Sequence, residues 1–362
     1  MLQISRLKAQ SIRILDNLDI NTAPGINYFY GPNASGKTSV LETVYLLSRV
    51  KSFRSSRIGS VVRNGHKTLT IFAEGRRDNT LFRAGLEKGH GSLELRYNDQ
   101  PIQTASSLAR LFPVFLIAPD HNLLFYGGPK NRRHWLDWSL FHVKQDYIDV
   151  WKNYIKAVRQ RNILLKQVST ISEKEIGGWE RVIAEESVKV DETRKNYITA
   201  INTLMNDEYL PKVLNGATQI VYSQSSQGDE LAEYLAKHRA DDARKGYTSA
   251  GPHRADIKFF FQDAEISKLM SRGQLKLYGA ALVSSQISLL KSKGGSGLLL
   301  VDDIDAELDL DSTKKILALL LENKVQTFIS SLSESVELGD WQEQNALFHV
   351  KQGVVTRKTS IN

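Results

Sequence analysis

The chain of 362 residues contains no cysteine. This excludes disulfides, thiolate nucleophiles and every cysteine-based zinc site, and suits a reducing or indifferent compartment. The opening residues, MLQISRLKAQ, lack the apolar stretch of a signal peptide. No apolar run is long enough to span a bilayer, and the longest, around Leu298–Val301, is strand-sized. No heptad pattern is sustained and no internal repeat is evident. These absences lead to the expectation of a cytoplasmic protein with no membrane partner.

What is present is ordinary globular composition, 41% hydrophobic and 24% charged, with a net charge of +8. The length allows two or three domains. The basic excess suits a polyanionic partner and is unevenly placed. Lys51, Arg54, Arg57 and Arg63 cluster after the first predicted helix. Lys130, Arg132, Arg133, Lys152, Lys156, Arg159, Arg161 and Lys166 crowd the middle.

Alternation predicts strands over 2–9, 12–20 and 25–30, then a helix over about 37–50. Further strands are expected at 69–74, 81–86, 93–97 and 112–117. Tyr126-Gly127-Gly128-Pro129 is a strong break. From Arg132 to about Leu214 helix formers dominate, interrupted at Ile176-Gly177-Gly178-Trp179 and stopped near Pro211. Strands return at 217–222 and 257–261. A helix over 274–290, a buried strand at 298–301, a helix at about 312–321 and a strand at 327–330 follow. Gln352-Gly353 splits a terminal hairpin. The expected organisation is an N-terminal part of a nucleotide-binding head over 1–125, a helical arm or insert over 126–249, and the rest of the head over 250–362.

Gly31-Pro32-Asn33-Ala34-Ser35-Gly36-Lys37-Thr38 matches the phosphate-loop pattern G-x-x-x-x-G-K-[ST] in full, between an apolar strand and an amphipathic helix. Its backbone N–H groups would cradle phosphate oxygens. Lys37 would reach the β- and γ-phosphates and Thr38 would bind Mg²⁺. Leu298–Val301 ends in Asp302 and Asp303, where α/β sheets place ligands. Asp302 suits Mg²⁺, and Asp303 suits orientation of an attacking water. ATP and Mg²⁺ are therefore the expected ligands, with Lys37 and Asp303 as catalytic groups. Glutamate often stands in the place of Asp303; aspartate is shorter by about 1.5 Å, so slow hydrolysis is expected. Ser271-Arg272-Gly273-Gln274 reads as a second anion-friendly helix start.

The order of phosphate loop, helical insert, Ser-x-Gly-Gln and apolar strand with paired carboxylates and Glu307-Leu308-Asp309 resembles ABC-type ATPase heads. Within them the chain resembles the SMC-like RecF family of bacterial recombination mediators. The stretch GPNASGKTSVLE, Phe53-Arg54-Ser55, Gly127-Gly128-Pro129 with Arg132-Arg133 and Leu136-Asp137-Trp138, and Gly251-Pro252-His253-Arg254 carry that likeness over essentially the whole chain.

The resemblance implies an α/β ABC-type ATPase head, a mixed sheet with flanking helices, bearing an inserted helical arm. It implies ATP-dependent homodimerisation in which Ser271, Gly273 and Gln274 meet the γ-phosphate held by another copy. It implies weak, DNA-stimulated ATP hydrolysis, engagement of duplex and gapped DNA, and action with RecR and RecO in loading RecA. Lys51, Arg54, Arg57, Lys152, Lys156 and Arg159 are candidate DNA contacts, the last three at spacings of four and three on one helix face. Two departures stand out: Pro119-Asp120 replaces a Q-loop glutamine, and Ser330-Ser331 replaces a switch histidine. Ala255 also stands where many family members carry an acid before Asp256. Arg13 lies near a position that touches nucleotide in related heads, and His253 and Arg254 suit a turn. The alternatives are an ABC transporter ATPase subunit and a P-loop kinase acting on a small molecule.

Overall fold

The computed structural model describes residues 1–55, 57–119, 123–166, 173–224, 230–334 and 344–358. The chain forms two compact units. The first comprises Met1–His121, Lys212–Leu214 and Ser271–Asn362, and the second Asn122–Pro211 and Asn215–Met270.

The first unit begins with β1 (Leu2–Ile12), β2 (Leu15–Asn21), β3 (Ile26–Tyr30) and α1 (Lys37–Arg49). It continues with β4 (Leu69–Arg77), β5 (Thr80–Lys88), β6 (Leu93–Tyr97), β7 (Gln100–Pro101), α2 (Ala105–Leu111) and β8 (Val114–Ile117). The chain then enters the second unit: α3 (Leu123–Tyr126), α4 (Pro129–Val143), α5 (Tyr147–Leu165), α6 (Glu173–Leu204), β9 (Thr218–Ser223), α7 (Glu230–Lys237), α8 (Arg239–Lys245), β10 (Asp256–Phe261), β11 (Ala264–Glu265) and α9 (Ile266–Leu269). It returns to the first unit with α10 (Arg272–Ser292), β12 (Leu298–Val301), α11 (Leu310–Glu322), β13 (Thr327–Ser331), β14 (Ala346–Lys351) and β15 (Val354–Lys358).

Two six-stranded sheets build the first unit, ordered β2-β1-β4-β5-β6-β7 and β15-β14-β3-β13-β12-β8. The former is antiparallel and alternates buried and exposed residues along β1 and β4. A register shift between Ile4 and Arg6 interrupts that alternation opposite Gly75, where a Cβ would lie 1.9 Å from Gln3 O. In the second sheet β3, β12 and β13 pair in parallel and are buried at every position; β12 is apolar throughout, while β3 and β13 bury Asn27, Thr327, Ser330 and Ser331 among their apolar residues. One hydrophobic core joins both sheets through Val40, Leu41, Val44 and Leu47 of α1. The strands β3, β12 and β13 thus end together beside the start of α1.

In the second unit α4 starts at Pro129, directly after the Gly127-Gly128 break, with proline in the first turn where no amide hydrogen is needed. Helix α6 is 32 residues long and passes through Gly177-Gly178, so the interruption expected there is absent. The pair lies in the first turns, and burial of Ile176, Ile183, Ala184 and Val190 along one stripe outweighs a glycine cost of about 1 kcal/mol each. The fully buried Arg194 of α6 ties this unit together. It bonds Asp137 Oδ1 of α4 at 2.7 Å, Tyr222 Oη of β9 at 3.0 Å and Pro252 O at 2.7 Å. The unit extends to Met270, twenty-one residues beyond the expected boundary at 249. The reason is β10, which pairs with β9, while Arg132 of α4 grips Asp256 at 2.8 and 2.9 Å.

Candidate nucleotide site

The phosphate loop fills the gap between β3 and α1. Gly31 has φ +152°, and a Cβ there would lie 2.1 Å from Val350 O, so only glycine fits. The C-terminal hairpin braces the loop from the same side, Gly353 N donating to Ser35 O at 2.7 Å. Ser35 Oγ is buried and has no hydrogen-bond partner among the described residues. Helix α1 has no side-chain cap: Gly36 occupies the N-cap with φ 115° and no acid stands in the first turn. The amides of its first turn therefore remain available to an anion. Lys37, 4% exposed, folds back and donates to Gly31 O at 2.8 Å and Pro32 O at 3.0 Å.

The paired carboxylates at the end of β12 reach this loop. Thr38 Oγ1 donates to Asp302 Oδ1 at 2.9 Å across 264 residues of sequence. Ser330 Oγ donates to the same oxygen at 2.7 Å and accepts from Asp303 N at 2.8 Å. Ser330, standing where a switch histidine was expected, is thus a bridge between the two acids. Burial pushes the Asp302 carboxyl up, opposed by the Ser330 and Thr38 hydrogen bonds and more weakly by the charge of Arg54. A buried carboxylate, an unpaired hydroxyl and uncapped amides converge on one loop, so the residues present fit a phosphate and a divalent cation. Asp303 adopts φ 48°, in the left-handed region that non-glycine residues seldom occupy.

Ser271, Gly273 and Gln274 lie at the exposed start of α10. Ser271 Oγ accepts from Gln274 N at 3.3 Å, and Ser271 N donates to Gln274 Oε1 at 2.9 Å, forming a reciprocal capping box. Among the described residues, none of the side-chain hydrogen bonds of this turn reaches Gly31–Thr38. Its remaining partner is Glu307, which Arg272 meets at 3.2 Å.

Of the candidate DNA contacts, Lys51, Arg54 and Arg57 are exposed on the first unit. Their loop is anchored to α1 by Glu42, which is fully buried and bonded to Ser52 and, bidentately, to Arg13 at 3.0 and 3.1 Å. Arg13 is therefore held by a carboxylate of α1. Lys152, Lys156 and Arg159 are exposed on α5. The other basic residues of the middle stretch do not all remain available. Arg161 is buried against Asp242 and Glu180, Arg132 pairs with Asp256, and Arg133 donates to Ala255 O at 2.7 Å. His253 shapes a turn, its Nδ1 bonded to Tyr154 Oη at 2.6 Å and its Nε2 to Thr248 O at 3.0 Å, while Arg254 stacks 4.3 Å from the Tyr247 ring centroid. Asp120, half of the Q-loop departure, lies outside the described residues.

The sequence profile described as RecF/RecN/SMC N terminal domain matches residues 3–356. The chain is 35% identical to the DNA replication and repair protein RecF of Pseudomonas putida (strain GB-1), over 98% of both chains. It is 36% identical to that of Pseudomonas entomophila (strain L48), again over 98% of both. The chain belongs to the RecF family. Solved structures agree on the fold. The recombination mediator protein RecF-ATP in the RecFOR pathway superposes with a TM-score of 0.87 at 24% identity, covering 98% of this chain and 97% of that one. An SmcHead bound to the C-winged helix domain of ScpA reaches 0.60 at 15% identity, covering 99% and 97%. The architecture is an ABC-type ATPase head carrying an inserted helical unit. Family membership removes the basis for the transporter and small-molecule kinase alternatives. Among the described residues no helix is long and apolar enough to cross a membrane.

Sequence reasoning named Ser330, Arg13 and the terminal hairpin but missed what they touch: the Ser330 bridge between Asp302 and Asp303, the Arg13–Glu42 pair, and the hairpin's hydrogen bond to the phosphate loop. The hairpin forms as expected, with Gln352 and Gly353 at φ values of 50° and 80° in the tight turn.

Proposed function

We propose that the chain is an ATP-gated, DNA-binding ATPase of recombinational repair and replication restart. The observation that carries this reading is the 2.9 Å contact of Thr38 with the buried Asp302 beside a complete phosphate loop. Gly31, Pro32, Asn33, Ala34, Ser35 and Gly36 shape the phosphate cradle, and Lys37 swings from its loop carbonyls to the β- and γ-phosphates. Thr38 and Asp302 would hold Mg²⁺, which when bound would supply positive charge beside the phosphates. Asp303 orients the attacking water, and its short side chain makes hydrolysis slow.

Ser271, Gly273 and Gln274 present a capped, electropositive helix start to the γ-phosphate of a second copy, so that ATP holds two copies together. Lys51, Arg54, Arg57, Lys152, Lys156 and Arg159 contact duplex or gapped DNA through phosphates, which binds without sequence preference. The RecFOR pathway named for the solved relative supports RecO and RecR as partners, and RecA loading is the outcome that the family resemblance implies.

The test is size in solution. With ATP and Mg²⁺ the wild-type chain shifts from monomer to dimer by light scattering, whereas Lys37→Ala stays monomeric. A wild-type chain that remains monomeric with ATP and gapped DNA together defeats the reading.

A further inference from the structure

Lys276 lies in the second turn of α10, only 7% exposed. Its ammonium donates to Asp303 O at 2.6 Å, Ile304 O at 3.0 Å and Ala306 O at 2.9 Å. A lysine ammonium has three N–H donors, and here each finds a carbonyl. All three acceptors belong to the turn that follows β12 and begins with Asp303. That turn contains two non-glycine residues at positive φ, Asp303 at 48° and Glu307 at 68°. Such conformations persist only where the surroundings hold them.

Two further contacts join the same pieces. Arg272 pairs with Glu307, and Gly273 lies so close that a Cβ would sit 2.9 Å from Glu307 O. Asp302, Asp303, Asp305 and Glu307 all attract the Lys276 charge. The opposite end of the same helix start, Ser271 to Gln274, is open to solvent apart from partly covered Gly273.

We propose that Lys276 is a positioning residue that makes the start of α10 and the Asp303 turn move as one body. Capture of a second copy's nucleotide by Ser271, Gly273 and Gln274 then sets the Asp303 carboxylate over the chain's own nucleotide. In a dimer each copy's α10 meets one nucleotide while its Lys276 holds the acid serving the other. The two sites are thereby linked. This inference rests on the dimeric reading given under Proposed function.

Single-turnover hydrolysis, ATP affinity and ATP-driven dimerisation, measured on the full chain, test it. Lys276→Met is expected to keep ATP affinity within about twofold and to keep the dimer, while hydrolysis slows about a hundredfold, the effect of an ~1 Å misplacement. Lys276→Arg, which retains charge and donors, is expected to recover part of that rate. The proposal is overturned if Lys276→Met hydrolyses at the wild-type rate, if its loss of rate is matched by loss of ATP affinity, or if arginine does no better than methionine. Should methionine prevent folding, a Lys276→Arg variant hydrolysing about a hundredfold slower than wild type overturns it equally. Asp303→Asn separates the two ideas. Full activity in that variant defeats the role given to Asp303 itself, whereas an inactive Asp303→Asn beside a fully active Lys276→Met defeats the Lys276 link alone.

Discussion

Asp302 keeps a carboxylate where burial opposes its charge, with only two hydroxyls and the more distant Arg54 in its favour. A group so placed gains most when a cation arrives. Asparagine in its place accepts from the same hydroxyls without the charge. Asp302→Asn is expected to melt no lower than wild type without nucleotide, while Mg²⁺-dependent hydrolysis falls by about 10²–10³. Calorimetry and a phosphate-release assay check both halves, and a marked fall in melting temperature would identify the carboxylate as structural. His253 is the reverse case. Thr248 O can only accept, so Nε2 carries the proton and Nδ1 accepts from Tyr154. Burial, opposed by the Thr248 contact and aided by Arg254, Arg133 and Arg194, lowers its pKa to about 4 from 6.5. The unfolded chain thus takes up a proton below pH 6.5 that the folded chain refuses until about pH 4. Stability contributed by neutral His253 is complete above that window and is lost as pH falls through it. The difference of about 2.5 in pKa corresponds to on the order of 3 kcal/mol. Denaturant unfolding followed by Trp fluorescence at pH 7 and pH 4.5 is expected to show most of this loss, and His253→Gln to flatten it.

Helix α10 shows what a sequence does and does not reveal about an element. Its capping box was legible, because Ser271 and Gln274 are the residue types that cap at that spacing. The partners of Lys276 were not legible, because they are backbone carbonyls and leave no pattern in residue types. The phosphate loop, the buried strand with Asp302 and the family motifs were visible for the same reason as the cap: side-chain identity carries the chemistry. Asp137, Arg132 and Asp256 were visible only as motif members, and burial shows them to be ion-pair partners within the second unit. Helices α7 and α8 escaped notice because so few of their residues are buried, Leu231, Leu235 and Asp242 among them. The edge of β9 was equally silent. Asn202 bonds both the N–H and the C=O of Ile220, and Asn206 those of Thr218, so two amides one helical turn apart serve as a surrogate strand. At the outward end of α10, a bulky cation fits the cap's geometry poorly and fills the space a second nucleotide would enter. Ser271→Arg is expected to bind ATP within about twofold of wild type, since the change lies outside the chain's own phosphate loop, and to remain monomeric with ATP. Equilibrium nucleotide titration and light scattering check this, and lost affinity in the monomer would place Ser271 in the wrong site.

For the whole molecule, a net charge of +8 is a difference between 48 cations and 40 anions and says nothing of which cations are free to meet a polyanion or where they are. Arg161, Arg194 and Arg132 are committed to internal carboxylates, so their charges are balanced inside the second unit. Exposed cations remain on both units, Lys51 and Arg57 on the first and Lys152, Lys156 and Arg159 on the second. Arg54 stands apart, because its charge is felt at Asp302 and its removal would disturb nucleotide binding as well. Phosphate contacts release counterions, so each contributes about −0.9 to the slope of log affinity against log salt on duplex DNA. Replacing Lys152, Lys156 and Arg159 together by glutamine is expected to reduce that slope by up to about 3 and to weaken all sequences alike. Replacing Lys51 and Arg57 should reduce it by up to about 2. Both are measured by fluorescence anisotropy on duplex, gapped and single-stranded DNA across a salt series, with and without ATP. If ATP holds two copies together, each copy brings its own set of cations to one duplex. The wild-type slope should then steepen with ATP, and Lys37→Ala should show the shallower slope in both conditions. A slope that ignores ATP would mean that nucleotide and DNA are bound independently, which a gate cannot allow.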